Sequence, residues 1–396
     1  MERKISEKVY YIGVNDRTTH RFEGLWPIPA GVSYNSYLAL GSEKAAIIDG
    51  VEVSHSLDQI ASIRRILGDR KPDYLVINHM EPDHSGSIAI LRSAFPDITI
   101  VGNAQTISMV NGYYGVDTNT LIVKDGESLD LGGGSTLQFF LTPMVHWPET
   151  MVTLFAEEKT LFTGDAFGCY GALNGGVVDT EMDVEGYFPE MVRYYANIVG
   201  RYGRFVQKAM TRLADVEFDT VCPTHGPIWR EHFSRVADIY DKLSRYEPLD
   251  EGATVIYGSM YGNTARMAEA AAQGIAEAGV KNIAVHDLSS SNLSYIIADL
   301  FRHRHILLAA PTYSDGLFPP MGEVIDAINL RGLSNRRVAL IGSHTWAPKG
   351  IKSMSEELSG GSLELVAEPL SIKQAPGTDE LAACRALGRQ LVGAEC

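Results

Sequence analysis

The chain has 396 residues, 45% of them hydrophobic, and a formal net charge of −15. That length allows two or three domains with sizeable cores. The acidic balance argues against nucleic acid and anionic membrane as main partners, because both select basic patches. No apolar run approaches the ~20 residues of a membrane helix, and the opening MERKISEKVYYIG lacks the apolar segment of a signal peptide. Cys169, Cys222, Cys384 and Cys396 are scattered without a CxxC pair. That spacing excludes a Cys-ligated zinc site and fits a reducing cytoplasm.

The first half predicts many short strands with helices between them. VYYIGV (9–14), SYNSYLAL (33–40) and AAIIDG (45–50) read as strands closed by Gly or Asp turns. HSLDQIASIRRILG (55–68) has helical periodicity and ends on glycine. YLVIN (74–78) is a short apolar strand, and SGSIAILRSAF (85–95) a helix capped by Ser85. TLQFFLTPMV and MVTLFAEEKTLFTGD predict further strands, with a hairpin at Glu157–Lys159. Residues 184–215 read as helical, followed by a strand in DTVCPT and an amphipathic helix in WREHFSRVADIYDKLSRY. The polar, turn-prone EPLDEG (247–252) marks a border, giving domains 1–249 and 250–396. Beyond it, strands and helices alternate regularly to the end, which predicts a doubly wound parallel sheet.

Between the strand at 74–78 and the helix after it stands HMEPDH, with His79, Glu81, Asp83 and His84 packed together. An extended loop would turn His79, Glu81 and Asp83 to one side, with His84 joining from the following turn. His146 (LTPMVHWPE), Asp165 (LFTGD) and His225 (VCPTHG) lie at the ends of later strands, where α/β folds gather ligands. Singly, each has an ordinary reading as a solvated histidine, a helix cap or a turn aspartate. Together, seven donors are too many for one ion and suit two ions sharing a bridging carboxylate, Asp165. The mixed imidazole and carboxylate set suits iron or manganese better than zinc.

In the second half, ATVIYGSMYGNTARMAEA gives strand, loop and helix. Ser259, Met260, Tyr261, Gly262, Asn263 and Thr264 form S-x-x-G-N-T at a helix start, where hydroxyls and amide N–H groups receive a phosphate. The dinucleotide pattern GxGxxG is absent, which favours a mononucleotide. Two more loops follow later strands. One holds Pro311, Thr312, Tyr313, Ser314, Asp315 and Gly316; the other holds Ser343, His344, Thr345 and Trp346.

The order HxExDH…H…GD…HG resembles the metallo-β-lactamase superfamily, whose hydrolases show HxHxDH. Glu81 at the middle position, with HWP at 146–148, looks like the flavodiiron proteins. The resemblance spans essentially the whole chain. It implies an N-terminal metallo-β-lactamase-like αββα sandwich holding two non-haem iron ions, followed by a flavodoxin-like domain holding FMN. Within that domain, the loops at 311–316 and 343–346 would flank the isoalloxazine ring, with Tyr313 and Trp346 as stacking surfaces. Flavodoxins usually carry Thr or Ser where this chain has Tyr261. The implied activity is oxidoreductase: O₂ to water, NO to N₂O, or both.

The family also implies head-to-tail homodimers or dimers of dimers, and an electron donor such as rubredoxin or a reduced deazaflavin cofactor. Without a CxxC pair that donor is expected to be a separate protein or cofactor. Some members carry a histidine near the irons where this chain has Glu23, and in some the counterpart of His84 leaves iron. Tyr195, in RYYANI, is the candidate catalytic group for protons. Two other readings compete: a dinuclear hydrolase of metallo-β-lactamase type with a redox appendage, and a non-enzymatic flavodoxin-like electron carrier.

Overall fold

The computed structural model describes residues 2–394; Cys396 lies outside the described residues. The chain divides into two compact units. One runs to Tyr195 and takes up Arg204–Asp241; the other is Ala196–Gly203 with the chain from Lys242 onward. Packing therefore changes hands a few residues before the expected 249/250 border, and the second unit gains a short excursion.

The first unit is built on two sheets. A seven-stranded sheet runs in the order Arg3–Lys4, Val9–Tyr11, Tyr37–Leu40, Ala45–Ile48, Tyr74–Val76, Thr99–Gly102, Thr120–Ile122. Its last four strands are parallel and its first ones antiparallel. Ala45–Ile48 is buried at every residue, as expected for a strand covered on both faces. On one face the helix Ser56–Leu67 inserts Ile60, Ile63 and Leu67, spaced three and four apart, against Ile47, Leu75 and Ile100. Each such side chain, fully buried, contributes about 1.5–3 kcal/mol.

The second sheet runs Ser128–Asp130, Thr136–Leu141, Met151–Phe155, Thr160–Gly164, Thr220–Pro223. Its outer face packs Phe140, Val152, Leu154 and Leu161 against Leu213 of the helix Gly203–Leu213. The inner faces meet where the rings of Tyr37 and Phe162 lie 5.2 Å apart. Asn78 ties them further: its carbonyl accepts from the Met151 N–H at 3.0 Å, and its side-chain oxygen from Thr153 at 2.7 Å. Helix, sheet, sheet, helix is the αββα order expected.

Several boundaries differ from the sequence reading. The stretch after YLV is not extended throughout: Pro82–Ser85 forms one helical turn, and the next helix is Ile88–Ala94. Ser85 caps nothing; its hydroxyl donates to the Met80 carbonyl at 2.7 Å. The helical stretch 184–215 is interrupted. Tyr187–Tyr194 passes into a π-helical Tyr195–Val199 and a 3₁₀ turn Gly200–Tyr202 before Gly203–Leu213. Close approach explains the two glycines in the break. A Cβ on Gly200 would lie 2.8 Å from the Phe301 ring, and one on Gly203 2.3 Å from the Ser244 carbonyl.

The second unit has one parallel sheet, in the order Ile283–Asp287, Asp250–Tyr257, His303–Pro311, Ser334–His344, Ser362–Leu365, with Leu370–Lys373 also on Ser334–His344. In chain order this is 2-1-3-4-5, the doubly wound arrangement that places a ligand at the carboxyl ends of its first and third strands. LELVAEPLSI is thus two strands rather than one. They pair with opposite ends of Ser334–His344, at Ser334–Val338 and at Ile341–His344. The helices Asn263–Glu277 and Thr378–Leu391 cover one face through Met267, Ala271, Ile275, Cys384, Leu387 and Leu391. No helix among the described residues is long and apolar enough to cross a membrane.

Candidate dinuclear metal centre and flavin cradle

The first unit brings all seven predicted donors together, in two groups. His79, Glu81, His146 and Asp165 form one; Asp83, His84 and His225 form the other, each with ligand atoms within 4.8 Å of one another. Asp83 therefore does not share a pocket with His79 and Glu81, as an extended loop would require. The helical turn Pro82–Ser85 swings Asp83 and His84 to the other side.

Asp165 lies between the groups. Its Oδ2 is 3.1 Å from His146 Nε2 and 3.4 Å from His79 Nε2. Its Oδ1 is 3.0 Å from His84 Nε2 and 3.7 Å from His225 Nε2. Glu81 Oε2 stands 3.1 Å from His146 Nε2 and 3.3 Å from His79 Nε2. Asp83 Oδ2 stands 3.3 Å from both His84 Nε2 and His225 Nε2.

The electrostatics ask for cations. Burial opposes charge on the imidazoles, but the carboxylates outweigh it. Asp83 and Asp165 raise His84 to about 9; Asp165 and Glu81 raise His146 to about 9. His79 is held well above its ordinary range, against burial, by Asp165, Glu149 and Glu81. Burial likewise pushes Asp165 up, and the surrounding histidines carry it well below the usual carboxylate range. Both oxygens of Asp83 are buried without a hydrogen-bond partner. Oxygens of that kind, facing imidazole nitrogens, fit bound metal.

Backbone and neighbours aim the imidazoles. His225 Nδ1 lies 2.8 Å from the Ser33 carbonyl, which places the proton there and turns Nε2 inward. His79 Nδ1 lies 2.9 Å from Glu149 Oε1, and the same oxygen accepts from the Met80 N–H at 2.8 Å. Glu149 is completely buried, and the sequence reading passed over it. Its signal was a glutamate three residues after a candidate ligand, which no spacing rule distinguishes from a solvated one. Glu149→Ala is expected to weaken metal binding at the His79 group by about 10–100-fold, as read by competition with a chelator; unchanged affinity would remove Glu149 from the site.

Tyr195, the candidate for handling protons, is fully buried. Its ring packs edge-on against Tyr240 at 5.0 Å. Its neighbour Tyr194, which the sequence reading did not single out, has its ring 5.6 Å from that of His225 and a buried hydroxyl without a hydrogen-bond partner. Glu23 accepts from Trp26 Nε1 at 3.0 Å; burial and the nearby Glu81 charge raise it to about 7.

The second unit assembles the other predicted residues at the carboxyl ends of its strands. A cavity of about 100 Å³ is lined by Ser259, Met260, Tyr261, Asn263 and Thr264 of the first loop, Pro311 and Thr312 of the second, and Ser343, His344 and Thr345 of the third. Gln374 lines it too and was not predicted. Gly262 (φ +86°) turns the first loop into the helix Asn263–Glu277, and its N–H donates to Ser259 Oγ at 3.1 Å. Thr264 and Ser343 hydroxyls are 2.9 Å apart, tying first loop to third. Tyr313 and Gly316 close the second loop by paired backbone bonds around Ser314 and Asp315, and Asp315 accepts from Trp346 Nε1 at 3.3 Å. Tyr313 and Trp346 are exposed, and Tyr261 is 91% exposed. Hydroxyls, amides and a helix start around a small cavity fit the phosphate end of a flavin mononucleotide.

Known proteins agree with this division. Residues 32–226 match the model of the ODP family of beta lactamases, and residues 255–388 that of flavodoxin. The chain is 30% identical over 392 residues to an anaerobic nitric oxide reductase flavorubredoxin of Escherichia coli, covering 98% of this chain and 81% of that protein. It is similar to the solved rubredoxin oxygen:oxidoreductase of Desulfovibrio gigas, with a TM-score of 0.93, 26% identity, and coverage of 99% and 98% of the two chains. It is similar also to the flavodiiron protein of Giardia intestinalis, with a TM-score of 0.94, 25% identity, and coverage of 99% and 96%. The chain belongs to the flavodiiron protein family.

Proposed function

We propose that this flavodiiron oxidoreductase reduces O₂ to water, NO to N₂O, or both, at two iron ions fed by FMN. The observation that carries this reading is Asp165, whose two oxygens face two separate donor groups in a chain that also holds a flavin cradle. His79, Glu81 and His146 would hold one ion, Asp83, His84 and His225 the other, with Asp165 between them. Residues 1–249 then form the diiron domain and 250–396 the flavin domain. FMN would rest on Ser259–Thr264, with the loops 311–316 and 343–346 beside its ring.

When bound, the irons and the flavin supply two electrons each and open positions for a diatomic ligand. Reduction of O₂ to two waters takes four electrons and four protons; coupling two NO molecules to N₂O and water takes two of each. The chain's own task is to position and to deliver protons. Glu149 and the Ser33 carbonyl hold two imidazoles with Nε2 inward. Tyr194 presents a buried phenol beside His225 and joins Tyr195 as a candidate for the proton-handling role. The hydrolase alternative uses no flavin and favours histidine where Glu81 stands.

The electron donor on this reading is a separate rubredoxin or a reduced deazaflavin cofactor, the first in keeping with the name of the Desulfovibrio gigas relative. The working form is a head-to-tail homodimer, or a dimer of such dimers, in the cytoplasm. Elemental analysis and absorbance of released cofactor are expected to give two irons and one FMN per chain, and protein reduced under anaerobic conditions is expected to consume O₂ or NO when either is added. Zinc without flavin would overturn the reading in favour of the hydrolase.

A further inference from the structure

We propose that Gln374 is an FMN-holding residue, donating its carboxamide N–H to the phosphoribityl end of the flavin; this rests on the FMN reading above. Gln374 lies just past the strand Leu370–Lys373, in a loop that none of the three flavin motifs contains. It nevertheless lines the same cavity as Ser259, Thr264, Thr312 and Ser343.

The chemistry of the cavity gives such a donor value. No lysine or arginine is among its described lining residues. A phosphate there would be met by hydroxyl, amide and imidazole groups and the start of the helix Asn263–Glu277. Ser259 Oγ accepts from Gly262 N–H and keeps its own O–H to donate, while the Thr264 and Ser343 hydroxyls bond each other and have one O–H left between them. A further N–H donor, hydrogen-bonded to a charged acceptor, is worth more than one bonded to a neutral group.

The backbone supports the assignment. Gln374 has φ +63°, in the left-handed region where glycine is the default. Its N–H donates to the His344 carbonyl at 2.8 Å, which fixes it beside the third flavin loop. Its side chain is exposed, at the rim of the cavity it lines.

The test is dilution of the flavin-loaded, full-length protein, with FMN release followed by its fluorescence, and thermal unfolding in parallel. Gln374→Ala is expected to weaken FMN binding about tenfold. Gln374→Glu is expected to weaken it more, because a carboxylate would face the phosphate. Gln374→Gly is expected to bind as weakly as the alanine variant even though it relaxes the backbone and raises the melting temperature. If Gln374→Gly melts higher and holds FMN as tightly as the unchanged protein, the residue serves the turn alone and the proposal fails. If the unchanged protein carries no FMN, the flavin reading itself fails.

Discussion

Asp165→Asn is expected to leave no more than about one iron per chain and to lower O₂ and NO consumption at least about 100-fold. The size of the effect follows from the number of partners one side chain serves. Oδ1 faces His84 and His225 and accepts from Thr224, while Oδ2 faces His146 and His79. An asparagine keeps the shape, but turns one of these oxygens into an NH₂ that meets an imidazole nitrogen with a donor. It also removes an anion on which several buried imidazoles depend, and an uncompensated buried charge is costly. His84→Asn is the matched comparison. His84 belongs to one group only, so that variant is expected to keep two irons and to lose less activity. Iron content by elemental analysis, with circular dichroism to check folding, separates the two; equal and total metal loss in both would sink the bridging role.

The donors of the site were legible because each sits next to a feature with a strong sequence signal. His79 follows the apolar strand Tyr74–Val76 of the first sheet, and Asp165 and His225 follow the neighbouring apolar strands Thr160–Gly164 and Thr220–Pro223 of the second, so each donor stands just after a strand with a strong signal. The grouping was not legible, because it turns on whether PDHS is extended or helical. Four residues are too short for a period of two or of 3.6 to declare itself. A single helical turn moves Asp83 from one group to the other.

The same limit explains the neighbouring tyrosines. In a regular helix Tyr194 and Tyr195 point about 100° apart, so composition cannot choose between them. The two part at the junction where Tyr187–Tyr194 gives way to the π-helical Tyr195–Val199. That junction is also where the chain passes to the second unit, Ala196–Gly203. Arg331 Nε then donates to the Ala196 carbonyl at 2.7 Å, a contact 135 residues away in sequence. Glu149 and Gln374 were missed for a related reason. Each acts through a long-range approach, to His79 and to His344, that leaves no local pattern.

Glu81→His is expected to convert the centre from iron to zinc and to abolish reduction of O₂ and NO. Glu81 supplies one carboxylate oxygen to both His146 and His79, at 3.1 and 3.3 Å. Burial pushes its carboxyl up, but those two histidines hold it below the usual carboxylate range, so it contributes a full negative charge to its group. An imidazole there contributes none. The group would change from two imidazoles and two carboxylates to three imidazoles and one, a set that suits zinc. Zinc also binds most nitrogen and oxygen sites more tightly than ferrous iron, so the carboxylate has to oppose the intrinsic affinity order. Zinc has no redox step, and the flavin would then be reduced without an outlet. The variant is therefore expected to carry zinc above iron when grown with both, to keep its FMN, and to show flavin reduction by donor with no consumption of O₂ or NO. Two irons and undiminished turnover in Glu81→His would show that the metal is selected elsewhere in the site.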